Sequence, residues 1–183
     1  MPKIIAQKND WIQLGHKLFA EQGISGIIIE KMAKKLNCNK SSFYWHFKTK
    51  KEFIEQVISF WIAIDTEQII TLINSKKSAK LKFEILIKLV FKKDPYLDFI
   101  FYLKRYGQKE KNIQSIIDTI DNQRIDFVAN LLQEMGFTIE EGRKRATLFY
   151  KYLIGYHEMI RYKKQHKNYV KEVCSEISLF IEL

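Results

Sequence analysis

At 183 residues, the chain is long enough for one domain with a sizeable core, or for a small domain joined to a larger one. An apolar share of 46% and an aromatic share of 14% exclude a disordered chain. The formal charge of +10 points to an anionic partner. It is unevenly spread: residues 1–50 hold nine Lys against Asp10, Glu21 and Glu30, an excess of six, which leaves +4 for the rest. The plain alternative is a Lys-rich, solvated surface. Cys38 and Cys174 match no metal spacing, so a reduced, cytoplasmic protein is expected, with a redox-sensing thiol as the alternative. No uninterrupted apolar run approaches ~18 residues, so no membrane span or membrane partner is expected. The N-terminal residues lack a signal-peptide core.

The apolar residues recur at helical spacing throughout, and Pro and Gly are few, which predicts an all-α fold. A first helix runs from about Ile4 to Gln22, with Ile5, Trp11, Ile12, Gly15, Leu18 and Phe19 inward, and ends at Gly23. A second spans about Ile29 to Leu36. Asn37-Cys38-Asn39 forms a turn, and Asn39 caps a third helix, Lys40 to Phe47. Thr49-x-x-Glu52 reads as a capping box opening a long fourth helix with the stripe Phe53, Val57, Trp61 (or Phe60) and Ile64. Residues 74–79 are a loop. A fifth helix covers about 79–92. Asp94-Pro95 reads as the start of a sixth, ending at Gly107. A seventh spans about 112–135 and stops at Gly136. Thr138-x-x-Glu141 opens an eighth, running to about Lys164, and a last helix starts near Asn168. The expected architecture is therefore about nine helices. A three-helix, helix-turn-helix domain covers residues 1–48. A larger helical bundle covers 49–183, and the helix of about 49–72 connects the two.

Residues 39–53, Asn-Lys-Ser-Ser-Phe-Tyr-Trp-His-Phe-Lys-Thr-Lys-Lys-Glu-Phe, carry the most information. Lys40, Ser41, Ser42, Tyr44 and Trp45 on one short helix suit a surface laid against DNA, where phosphates fix position and base edges give sequence. Helix pairs joined by a tight turn make a helix-turn-helix. The alternative is that Tyr44 and Trp45 are plain core aromatics.

The stretch Gly23 to Phe53 resembles the tetracycline-repressor (TetR/AcrR) family of bacterial transcription regulators. The matching pieces are Phe19-Ala20-Glu21-x-Gly23, Met32-Ala33, Asn39 through Phe47, and Lys50. The resemblance implies that Lys40 and Ser41 stand at the helix N-terminus that enters the major groove. It implies phosphate contacts for Ser42, Tyr44, His46 and Lys50, a base or backbone contact for Trp45, and core positions for Phe43 and Phe47. The chain departs from the family pattern at three points. Ile28 stands where Ser or Thr usually caps the second helix. Glu30 stands where a polar or basic residue often faces DNA; a carboxylate there repels phosphate or accepts from a cytosine amino group. Residues 1–50 contain no Arg, so Lys40 replaces the usual bidentate partner of guanine.

The C-terminal region resembles the family's effector and dimerisation domain. Phe99, Tyr102 and Tyr106, with Tyr152, Tyr156 and His157, are candidates to line a pocket for a small apolar or aromatic ligand; simple core filling is the alternative. Phe149, Leu153, Ile160, Val173, Ile177 and Ile181 are candidates for a homodimer interface. No catalytic arrangement, Gly-rich phosphate loop or metal-ligand spacing is legible, so no enzyme activity, cofactor or metal is expected. The expected function is a homodimeric, ligand-released repressor of a palindromic operator on double-stranded DNA. The alternative is a DNA-bound scaffold of the same fold with no effector.

Overall fold

A computed structural model describes residues 6–94, 96 and 98–181. Among them the chain is helical, with no strand: α1 (Lys8–Gln22), α2 (Ile29–Lys35), α3 (Lys40–His46), α4 (Lys50–Ile62), α5 (Gln68–Asn74), α6 (Ala79–Val90), α7 (Asp98–Gly107), α8 (Lys111–Glu134), α9 (Ile139–Ile160) and α10 (Tyr169–Ile177). A π-helical turn, Ala63–Glu67, links α4 to α5. Lys50–Asn74 is thus one continuous rod of 25 residues, and the described residues form the nine rods expected. The expected helical start at Ile4, the inward Ile5 and the opening Pro95 lie outside the described residues. Ala6 and Gln7 precede α1, and α7 begins at Asp98, four residues after its expected cap.

Stop signals and caps fix most boundaries. The α1 helix ends where Gly23 takes φ +63° and its N–H donates to the Phe19 carbonyl. Thr49 Oγ1 accepts from the Glu52 N–H at 3.0 Å. The Glu52 carboxylate reaches the N–H of Lys48 at 2.9 Å rather than that of Thr49, so only half of the expected box closes. At Thr138 and Glu141 the whole box is made.

The chain folds into two compact units that do not follow chain order: residues 1–65 with 95–117, and residues 66–94 with 118–183. In the first, Gly15 lets α1 approach α4 closely, since a Cβ there would lie 2.5 Å from the Phe53 ring. Residues Phe53, Ile54, Val57, Ile58 and Trp61 are buried along α4. By length and composition Lys50–Asn74 is apolar enough to cross a membrane, a property that scattered polar residues hid from the sequence reading. The five buried side chains of α4 belong to the core, while 28% of the apolar window within Lys50–Asn74 is buried. The α7 helix also packs on α1. Phe99 is wholly buried, 4.6 Å from the Phe19 ring and stacked on Trp61 at 5.1 Å. The Tyr102 hydroxyl donates to the Glu21 carbonyl at 3.4 Å. Burial raises the Tyr106 hydroxyl pKa above the usual phenolic value.

The second unit buries Ile73, Phe83, Leu86, Ile87, Phe91, Phe149, Val173, Ile177 and Ile181 in one cluster. The Arg124 guanidinium donates to Thr66 Oγ1, in the π turn, from Nε at 3.0 Å and Nη2 at 2.7 Å. Tyr150 donates to Asp121 at 2.6 Å. Lys93 Nζ donates to the carbonyls of Ile160, Arg161 and Lys163, capping the C-terminal end of α9.

This packing corrects the interface expected on the last two helices. Phe149, Leu153, Val173, Ile177 and Ile181 are buried in the chain's own core, and Ile160 is half-buried, so the first five cannot form an outer contact face. The exposed apolar positions lie one residue over. Leu148, Gly155, Met159 and Tyr162 are exposed along α9 and just past its end, with the half-buried Tyr152 between the first two. Met159 is 72% and Tyr162 92% exposed.

The six pocket candidates divide between the units. Phe99, Tyr102 and Tyr106 pack beside α1. Tyr152, Tyr156 and His157 gather around Phe91, and each has a polar partner. Tyr152 donates to Glu176, the Tyr156 hydroxyl accepts from Gln165 at 3.1 Å, and His157 Nε2 lies 2.6 Å from the Val90 carbonyl. A separate, open groove of about 660 Å³ in the second unit is lined by Ile70, Thr119, Asn122, Gln123, Asp126, Phe127 and Asn130; none of these was a pocket candidate.

Candidate nucleic-acid interface

The turn between α2 and α3 needs one residue in the left-handed region, and Asn37 supplies it at φ +52°; Asn tolerates this better than most side chains. Asn39 holds the N-cap position of α3 with extended backbone but makes no side-chain cap bond. Seating comes instead from Phe43 and Phe47. Both are buried, and Phe43 packs edge-on to Trp11 at 5.3 Å and Phe53 at 5.2 Å. Each such pair contributes about 0.5–1.5 kcal/mol beyond area burial.

With Phe43 and Phe47 fixed inward, the helical period turns Lys40, Ser41, Tyr44 and Trp45 outward. Tyr44 is 53% exposed and Trp45 75%. Leaving an indole in water has no folding benefit, so Tyr44 and Trp45 are an exposed aromatic pair that core packing does not account for. Ser41 is exposed. Lys50 is exposed at the first position of α4, where its charge and the helix N-terminus add.

Two expected phosphate contacts have other partners. Ser42 is buried, and its hydroxyl lies 3.5 Å from the Ala6 carbonyl. His46 Nε2 lies 2.7 Å from the same carbonyl. An imidazole nitrogen facing a carbonyl must carry the proton. Both side chains thus tie α3 to the segment leading into α1. Ile28 holds the N-cap of α2 with no side-chain bond, as its apolar side chain requires.

Sequence reasoning missed one pairing. Lys40 Nζ donates to Glu30 Oε1 across the two helices and also stands 5.8 Å from the centre of the Tyr44 ring. The hydrogen bond from Lys40 holds the Glu30 carboxyl below the usual carboxylate range, and Glu30 raises the Lys40 ammonium in turn. The signal for it was one acid and one base, each in the first turn of adjacent helices. Among the described residues no cluster of His, Cys, Asp or Glu could hold a metal ion.

Residues 12–57 match the family of bacterial regulatory proteins, tetR family. The chain is 27% identical over 135 residues to the biofilm operon icaADBC HTH-type negative transcriptional regulator IcaR of Staphylococcus aureus strain Newman. The match spans 71% of this chain and 68% of that protein. Its fold is similar to that of a transcriptional regulator from Rhodococcus sp. Rha1, with TM-score 0.79, 12% identity and 97% of each chain covered. It is also similar to the ketosteroid transcriptional regulator KstR2 of Mycobacterium tuberculosis, with TM-score 0.67, 12% identity, and 96% of this chain and 94% of that one covered. The helix-turn-helix seated by Phe43 and Phe47, with its outward row of Lys40, Ser41, Tyr44 and Trp45, lies within the stretch that matches the tetR family of bacterial regulatory proteins, and the fold of the chain is similar to that of known transcriptional regulators.

Proposed function

We propose that this regulator is a cytoplasmic repressor that binds a palindromic operator as a homodimer and leaves it when a small apolar ligand binds. Residues 1–48 bind DNA, residues 49–183 carry effector binding and dimerisation, and the helix of about 49–72 joins the two functions. The observation that carries the DNA reading is the solvated row Lys40, Ser41, Tyr44 and Trp45 beside Lys50. Repression is supported by the similarity to a negative regulator. A ligand can release DNA only if it binds the DNA-incompetent state more tightly than the competent one.

Dimerisation is supported by the exposed positions Leu148, Gly155, Met159 and Tyr162, which with the half-buried Tyr152 have the spacing of a helix–helix seam. Gly155 stands in the middle of α9, where a Cβ would meet nothing within 4 Å. An exposed helical Gly costs about 0.5–1 kcal/mol relative to Ala. Close approach of a partner helix gives that cost a purpose.

The ligand reading rests on the aromatic cluster Phe91, Tyr152, Tyr156 and His157. The scaffold reading, with no effector, is favoured by the hydrogen-bonded hydroxyls of Tyr152 and Tyr156 in that cluster. The experiment is a titration of fluorescent duplexes selected from a random library, with Lys40→Ala and Tyr44→Phe beside the wild type. Lys40→Ala should weaken the selected site by ~1–3 kcal/mol and scrambled DNA less; Tyr44→Phe should weaken both about equally. Unchanged affinity for Lys40→Ala removes the recognition-helix assignment. Thermal melting against apolar compounds separates ligand-responsive regulator from scaffold.

A further inference from the structure

Glu30 is out of place on a DNA-facing surface. Its carboxylate is 59% exposed, next to the outward row of α3, where phosphate would repel it. Its partner Lys40 is the one outward cation in the first turn of α3. Held by Glu30, that cation makes a pair of zero net charge. Such a pair gains little from the phosphate backbone, because it releases no counterion. As an exposed ion pair it also adds little to stability. Neither backbone affinity nor fold stability explains it.

What the pair does offer is a donor and an acceptor side by side. A G·C pair presents two adjacent acceptors, guanine N7 and O6, and then one donor, cytosine N4, in the major groove. An ammonium bridging N7 and O6 leaves an adjoining carboxylate facing the cytosine amino group. An A·T pair presents its single donor between two acceptors, with the thymine methyl beyond. A carboxylate reaching that donor is crowded by an acceptor on each side. We propose that Glu30 and Lys40 act as one base-reading unit for a single G·C pair in each half-site, and that Glu30 withholds Lys40 from phosphates elsewhere on DNA. Phosphate contacts position the protein without reading sequence, so Glu30 buys selectivity at the expense of general affinity. The inference rests on the DNA-binding reading above.

The test selects duplexes from a randomised library with the wild-type protein, Glu30→Gln, Lys40→Gln and the double variant. Affinity is then measured on the selected site, on that site with the G·C pair changed to A·T, and on scrambled DNA at several salt concentrations. The wild type should select one G·C pair per half-site. Each single variant should relax preference at that same pair, by about 5- to 150-fold, and the double variant should relax it no further. Glu30→Gln should bind scrambled DNA more tightly than the wild type, with a salt slope steeper by about one per protomer. Variants that keep the wild-type preference, or that relax different base pairs, overturn the shared unit. A wild type that binds no duplex at all overturns the DNA-binding reading itself, and with it the unit. That result is distinct from selective binding that is indifferent to Glu30.

Discussion

The His46 imidazole meets the backbone carbonyl of Ala6 at 2.7 Å, joining the end of α3 to the residues that lead into α1. This contact changes what a substitution at His46 should do. His46→Ala removes a partly buried hydrogen bond and should cost about 0.5–1.5 kcal/mol in urea denaturation. The salt slope of DNA binding should be unchanged, whereas loss of a phosphate contact would reduce it by about one.

The outward and inward stripes of α9 and α10 respond differently to charge. Met159→Glu should leave the chain folded, because the side chain is exposed, and should convert a dimer to a monomer in analytical ultracentrifugation. Ile177→Glu, in a side chain with no exposure, should lose ~4 kcal/mol or more through an unpaired buried charge. A folded monomer from Ile177→Glu, with Met159→Glu still dimeric, would reverse the assignment of faces.

Gly23 has two constraints at once. Its φ is positive, and a Cβ would lie 2.6 Å from the Tyr102 ring. Gly23→Ala should therefore destabilise by more than about 1 kcal/mol. Addition of Tyr102→Ala should recover only the steric share of that loss, as read by melting temperature.

Burial, with a smaller contribution from Glu84, raises the Cys174 thiol pKa above its ordinary value. Less thiolate is then present at pH 8 in the folded chain than in the unfolded one. Since the thiolate is the nucleophile, Cys174 should react slowly with iodoacetamide until urea unfolds the chain. Rapid alkylation in the folded state would revive the redox-sensing alternative.

The legible parts of the sequence were those set by local chemistry. Gly23, the Asn37 turn, Thr49, Gly136 and the Thr138–Glu141 box placed helix ends to within a few residues, because caps act over one turn. The inward seats of Phe43 and Phe47 followed from the motif. Two features were not legible. The stripes Phe149–Leu153 and Leu148–Tyr152–Met159 are both apolar and lie one residue apart, so helical periodicity could not say which faces the chain's own core. Partners distant in sequence were also hidden: Ala6 for His46, Phe19 for Phe99, and Glu30 for Lys40.

Sedimentation of the protein mixed with a duplex selected from a random library tests the DNA-binding, dimeric reading most directly. Two protomers per duplex are expected, on half-sites about one helical turn apart, ~34 Å, with affinity falling steeply as salt rises. A protein that stays monomeric, or that binds selected and scrambled duplexes equally at every salt concentration, would contradict it.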